Sequence, residues 1–112
     1  MTKPIIHKDL LPILDLLKKD LFDHFGSEIE QIFLYGSYAR GDHREDSDVD
    51  VMILLRKNPT VVDENFVNDL SFDYMYHYEF FFSIMLQSKE LFNRVIDFYP
   101  LFASIGREGV LL

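Results

Sequence analysis

The stretch from residue 32 to residue 55 leaves this chain few ways to fold. Two apolar segments, Ile32-Phe33-Leu34-Tyr35 and Val51-Met52-Ile53-Leu54-Leu55, flank Gly36-Ser37-Tyr38-Ala39-Arg40-Gly41, a short acidic linker and Ser47-Asp48-Val49-Asp50. Residues 29–35 read as one strand and 48–55 as the next. Residues 37–41 read as a tight turn or the first turn of a short helix, and 42–46 as a polar loop. The two strands thus bring a Gly-Ser turn and a pair of carboxylates to one place. Gly36 lets the backbone bend after a buried strand and approach a ligand closely. Ser37 offers a hydroxyl and, with its neighbours, backbone N–H groups suited to phosphate oxygens. Asp48 and Asp50, two apart on a strand, point to one face with Cα atoms about 7 Å apart. Such a pair can hold a hard cation such as Mg²⁺ through oxygen ligands.

Each part also has a plainer reading. A lone Gly-Ser is usually only a turn, and an Asp pair can be a solvated strand face. Strand interiors disfavour Asp, so Asp50 at the head of an apolar run needs a reason. A Gly-Ser turn ending one strand, with Asp-x-Asp opening the next, is more specific than either alone. The candidate nucleotide contacts are Gly36, Ser37, Arg40 and Ser47, and the candidate catalytic and metal-holding residues are Asp48 and Asp50. Arg40 either touches phosphate or pairs with a nearby carboxylate to hold the loop; the structural role is preferred. Ser47 is placed to hydrogen-bond locally and orient the Asp48 loop.

Around this centre, residues 9–25 read as an amphipathic helix. Leu10, Ile13, Leu14, Leu17, Leu21 and Phe25 share one face, with Asp9 as N-cap, Pro12 in the first turn and Gly26 as C-cap. After the break at Arg56-Lys57-Asn58-Pro59, Thr60 and Asp63 open a second helix. Its buried stripe is Val62, Phe66, Val67 and Leu70, and it runs to about Ser71 or Asp73. Residues 75–86 read as a third strand with a core face of Tyr76, Tyr78, Phe80, Phe82, Ile84 and Leu86. Its other face carries His77, Glu79, Phe81, Ser83 and Met85. Ser88 caps a short helix over 89–96, and another helical stretch runs from Tyr99-Pro100 to Gly106 or Gly109. Val110-Leu111-Leu112 is too apolar for a free tail and either pairs as an edge strand or meets a partner. The order gives an α+β fold, a small mixed sheet with helices packed mainly on one face.

At 112 residues the chain reads as a single domain over 1–112. A hydrophobic fraction of 48% argues against disorder. No apolar run reaches the roughly 20 residues that span a bilayer. Met1-Thr2-Lys3-Pro4 lacks the features of a signal peptide, and with no cysteine this favours the cytoplasm. A net charge of −8 argues against duplex nucleic-acid binding, while a metal-bridged nucleotide or a basic protein partner stays compatible. Eleven Phe and six Tyr are many for so small a core, so either they fill it or some lie on a surface that meets another chain. A homo-oligomer stays open.

Gly36-Ser37-Tyr38-Ala39-Arg40-Gly41 and Ser47-Asp48-Val49-Asp50, with their spacing and flanking strands, closely resemble the DNA polymerase β-type nucleotidyltransferase superfamily, and within it the minimal nucleotidyltransferases. Motif agreement covers about 20 residues, and the order of elements agrees over nearly the whole chain. The resemblance implies a palm-like domain that binds a nucleoside triphosphate, usually ATP, with Mg²⁺. By it, Gly36 and Ser37 contact the triphosphate and Asp48 and Asp50 hold the metals. It also implies an antitoxin role, since many minimal members are encoded beside a HEPN-domain toxin and some transfer AMP to a tyrosine of that toxin.

One departure stands out. The superfamily carries a third carboxylate on a later strand, and here that position falls at Ser83. The nearest substitutes on the same face are Glu79, about 13 Å along the strand, and His77 beyond it. With serine there, a second metal is weakly held. The chain also has no added domain to grip base or acceptor, which predicts an open cleft whose missing wall a partner supplies. Three functions follow: AMP transfer to a partner's hydroxyl, a binding module that neutralises its partner by contact, and, less favoured, a transferase for a small molecule such as an aminoglycoside.

Overall fold

The structure, a computed structural model, describes residues 8–112; the leader reading of Met1–Pro4 lies outside the described residues. Helix α1, Leu11–Phe25, buries Leu14, Leu17, Leu21 and Phe25 along one side. Its N-cap is Leu10 rather than Asp9, and no side chain caps it there. Gly26 ends it, as expected, by donating its backbone N–H to the Phe22 carbonyl. A short 3₁₀ turn over Gly26–Glu28 leads into strand β1, Ile29–Tyr35. Helix α2 is the single turn Ser37–Arg40, and strand β2 runs Val49–Leu55.

Helix α3, Val61–Tyr78, corrects the reading of residues 75–86. It does not stop near Ser71 or Asp73, and Tyr76, His77 and Tyr78 belong to its last turn rather than to a strand. The alternation of aromatics over 76–82 imitates a strand, but residues 76–78 continue the helix that buries Asp63, Val67, Leu70, Ser71 and Tyr74. Tyr76 is accordingly exposed and Tyr78 half-exposed, not core. Val62, expected in the buried stripe, is 69% exposed, because the capping box with Thr60 turns Asp63 inward instead. Glu79 closes α3 with a φ of 63°.

Strand β3 is therefore Phe82–Ser88, and within it the predicted faces hold: Phe82 and Leu86 are core. Ser88 caps helix α4, Lys89–Val95, by accepting from the Leu91 N–H at 3.1 Å. Helix α5, Pro100–Glu108, follows, then strand β4, Val110–Leu111.

The four strands form one mixed sheet in the order β3-β2-β1-β4. β1 runs antiparallel to both β2 and β4, and β2 parallel to β3. The C-terminal apolar residues thus pair as an edge strand. The main core lies on one face, where α1 and α3 cover Ile32 and Leu34 of β1, Val51 and Ile53 of β2 and Phe82 and Leu86 of β3. A smaller cluster on the opposite face joins Met52 and Leu54 to Phe92, Phe102 and Ile105 of α4 and α5. Strand β2 is consequently buried on both sides from Val51 to Leu55. Among the described residues no helix is long and apolar enough to cross a membrane.

Candidate active site

The register of β1 against β2 pairs Tyr35 directly with Asp50, so the turn that follows Tyr35 lies against the carboxylate that opens β2. Gly36 makes this approach possible. A Cβ built on it would lie 2.2 Å from Asp50 Oδ2, and its φ is +75°, a backbone that side chains rarely adopt. Beyond Gly36 the chain closes one helical turn, with the Ala39 and Arg40 N–H groups both donating to the Gly36 carbonyl at 3.1 Å. Gly41, at φ +82°, ends that turn.

The other side of the site is fixed by β3. The Val49 N–H donates to the Phe81 carbonyl at 2.8 Å, and the parallel register then pairs Asp50 with Ser83. Paired residues share a face of the sheet, so Ser83 stands one strand spacing, about 4.8 Å, from Asp50. Glu79 is not on this strand; it lies in the turn that ends α3 and lines a different cavity with Tyr38 and Phe80. His77, in α3, lies off the strand as well.

Asp48 precedes β2 by one residue and is exposed, while Asp50 is partly buried. Burial pushes the Asp50 carboxyl above the usual carboxylate range; the Asp48 charge adds to the rise, and Arg40 opposes it. The two carboxylates thus feel each other. Burial, and next the Asp50 charge, likewise raise the Tyr35 phenol.

Arg40 takes the structural role preferred from the sequence. Its Nε donates to Asp42 Oδ2 at 3.2 Å, and Nη1 lies 3.9 Å from Glu108 Oε2. Ser47 orients the loop as expected: its Oγ accepts from the Arg44 N–H at 2.8 Å. That ties its hydroxyl to the loop, away from the cleft lined by Gly36, Ser37, Arg40 and Asp50.

This cleft has a volume of about 450 Å³, within the roughly 300–1,000 Å³ usual for small-molecule sites. Its far wall is α5, through Leu101, Ser104, Ile105 and Glu108. The chain therefore supplies a wall that the sequence reading assigned to a partner. The signal was present in the spacing of 101, 104, 105 and 108, one side of a helix. Nothing in that spacing says which sheet face the helix covers.

Mg²⁺ suits this donor set. It is held in many sites by one or two carboxylates, with phosphate and water completing its shell. Among the described residues no group of three or more His, Cys, Asp or Glu is placed to hold a metal ion.

The polymerase beta nucleotidyltransferase family model matches residues 17–101. The chain belongs to this family. Two proteins of Methanocaldococcus jannaschii, each carrying the name of a candidate protein adenylyltransferase, are similar to it. One is 32% identical over 80% of this chain and 90% of its own length, the other 36% over 79% and 82%. A crystal structure of a toxin–antitoxin with AMP-PNP shares the fold, with a TM-score of 0.56 and 17% identity over 94% of this chain and 72% of that one. The family match thus runs from α1 to the start of α5 and takes in the Gly36 turn and Asp50 of β2.

Proposed function

We propose that this nucleotidyltransferase-family chain transfers AMP from ATP to a hydroxyl of a partner protein and acts as the antitoxin of a toxin pair. The observation that carries the reading is the contact between the turn and the carboxylate. Only glycine fits at residue 36 against Asp50, and the resulting cleft places Ser37 and Asp50 on one lining. The relatives named for protein adenylyltransferase activity support AMP as the group transferred and a protein as acceptor. By the resemblance to minimal nucleotidyltransferases, the partner is a HEPN-domain toxin, the acceptor a tyrosine, and the setting the cytoplasm.

In this reading Gly36 and Ser37 hold the triphosphate through backbone and hydroxyl, and Asp48 and Asp50 hold Mg²⁺. When bound, the metal neutralises phosphate charge and lowers the barrier to attack at phosphorus. Asp50 is kept close to the turn by the Tyr35 pairing, so carboxylate and phosphate site are positioned before ligand arrives. Arg40, braced by Asp42 and Glu108, borders the same cleft and adds positive charge there. The wall of α5 limits water on one side. The acceptor oxygen attacks the α-phosphorus, the bond from that phosphorus to the oxygen bridging toward the β-phosphate breaks, and pyrophosphate leaves with the electron pair. The acceptor's proton passes to water, since Ser83 stands where the superfamily carries a carboxylate.

Ser83 beside Asp50 also favours a second reading, a module that holds nucleotide and neutralises its partner by contact with slow or no transfer. One incubation separates the two. The protein is mixed with ATP, Mg²⁺ and the purified product of the adjacent gene, and intact masses are recorded. An AMP-sized gain on the partner that disappears with Asp48→Asn supports transfer. A tight complex without mass gain supports the second reading, and neither result defeats both.

A further inference from the structure

Helix α3 is apolar on two sides. One side, through Val67, Leu70 and Tyr74, faces the main core. The other faces outward: Phe72 is 69% exposed and Tyr76 84%. These two are one turn apart, so they form a single ridge. Met75 beside them and Phe81 beyond the helix end are also exposed. Single exposed apolar residues are ordinary, but neighbouring aromatics on one ridge are an interface feature.

The charge carried by α3 itself has one sign. Between Lys57 and Lys89 the chain contains no lysine or arginine. Glu64, Asp69, Asp73 and Glu79 are all exposed there. At the C-terminal end of α3 a cavity of about 710 Å³ continues the same chemistry, with Tyr78 and Phe80 beside Asp9, Glu45 and Glu79 and the buried Tyr38 stacked on His43 at its side. Aromatic faces combined with carboxylates attract Lys and Arg side chains. Tyr38 follows Ser37 in α2, so the surface ends beside the nucleotide turn.

We infer that the outer face of α3 docks a basic amphipathic helix of the partner protein. Phe72 and Tyr76 fill its apolar stripe, Asp69, Asp73 and Glu79 pair with its flanking Lys or Arg, and one such side chain enters the cavity at Tyr78. The length of α3, 18 residues, gives a ridge that another helix can pack along. A second copy of this chain is disfavoured as occupant, because two faces of the same negative sign would repel. The inference rests on the reading of the substrate as a protein, and it adds where that protein is held: along α3, with its end near the loop leading to Asp48.

Three synthetic helical peptides test it, each titrated into the ¹⁵N-labelled protein. One carries a leucine stripe flanked by Arg, one the same stripe flanked by Glu, and one the first composition in scrambled order. The Arg-flanked peptide is expected to shift the amides of Asp69 to Phe81 saturably, with the other two giving no saturable shift. Phe72→Ser with Tyr76→Ser should weaken this binding about tenfold, as loss of central aromatic contacts does. Glu79→Gly should weaken it too, although glycine suits the φ of 63° better than glutamate, so weaker binding there is not lost stability. Equal responses to all three peptides, no response, or shifts centred on Phe98 and Tyr99 would overturn the inference. So would concentration-dependent shifts at Phe72 and Tyr76 without peptide, which mark self-association. ATP with Mg²⁺ added to the same samples should shift Gly36 to Asp50. Peptide silence with that response intact sinks the docking face alone, while ATP silence with peptide binding intact sinks the transferase reading alone.

Discussion

Asp63 and Asp50 are carboxylates at the heads of adjacent elements, α3 and β2, and the protein surrounds them in opposite ways. Asp63 is buried and fully engaged. It accepts from Lys57 Nζ at 2.7 Å and from the Thr60 N–H at 2.9 Å, with His24 Nε2 at 3.4 Å. Burial alone would raise its pKa, but the Lys57 bond, then Thr60 and His24, hold the carboxyl well below the usual range. Asp50 is only partly buried, and burial and the Asp48 charge raise it. Arg40, which opposes that rise, is itself paired with Asp42 and Glu108. A carboxylate that the fold satisfies contributes to stability. One that the fold crowds against like charge is positioned for a cation brought from outside.

That contrast can be broken in several places. The largest effect should come from Asp63→Ala, which removes the capping box and leaves Lys57 without its carboxylate. A loss of about 3 kcal/mol is expected in urea unfolding, combining a lost cap with charged hydrogen bonds. The acid limb should carry the same signature. A lowered native pKa contributes stability that is fully present above the ordinary carboxylate value of about 3.9 and is lost as pH falls below it toward the native value. Asp63→Asn should flatten this limb, and an unchanged acid limb would refute the assignment.

Next in size is Gly36→Ala. The added Cβ meets Asp50 Oδ2 and the φ of +75° strains the backbone, so about 2 kcal/mol should be lost together with ATP binding. Normal ATP affinity in a folded Gly36→Ala protein would show that the turn and Asp50 do not form one site. Smaller again is Tyr74→Phe. The Tyr74 hydroxyl donates to Asp20 at 2.6 Å, linking α3 to α1, and its removal should cost about 1 kcal/mol with no change in ATP binding.

The sequence revealed what local chemistry decides. Thr60 with Asp63, Ser88 before α4 and Gly26 after α1 each act within a few residues, and each appears as read. Gly36-Ser37 and Asp48-x-Asp50 stood out for a related reason: a glycine closing one apolar run and an aspartate within the next are both unusual, and the structure brings the Gly36 turn against Asp50. Decisions made by packing were not legible. The aromatics from Tyr76 to Phe82 alternate like a strand, yet Tyr74 and Leu70 pull the segment into α3 as far as Tyr78. Val62, read as part of the buried stripe, is exposed instead. The wall of α5 was hidden because helical spacing at 101–108 does not name the sheet face it covers, and only the pairing of β1 with β2 and β4 sets that geometry.

The smallest expected change in stability belongs to Asp50→Asn, and it gives the most direct test. A raised native pKa means that the charged Asp50 opposes folding at neutral pH. The variant should therefore unfold at a urea midpoint no lower than that of the parent. Calorimetric titration of ATP with Mg²⁺ into both proteins completes the measurement. The parent should bind and the folded variant should not. Equal ATP affinity in the two proteins, or a variant that unfolds early, would contradict this expectation.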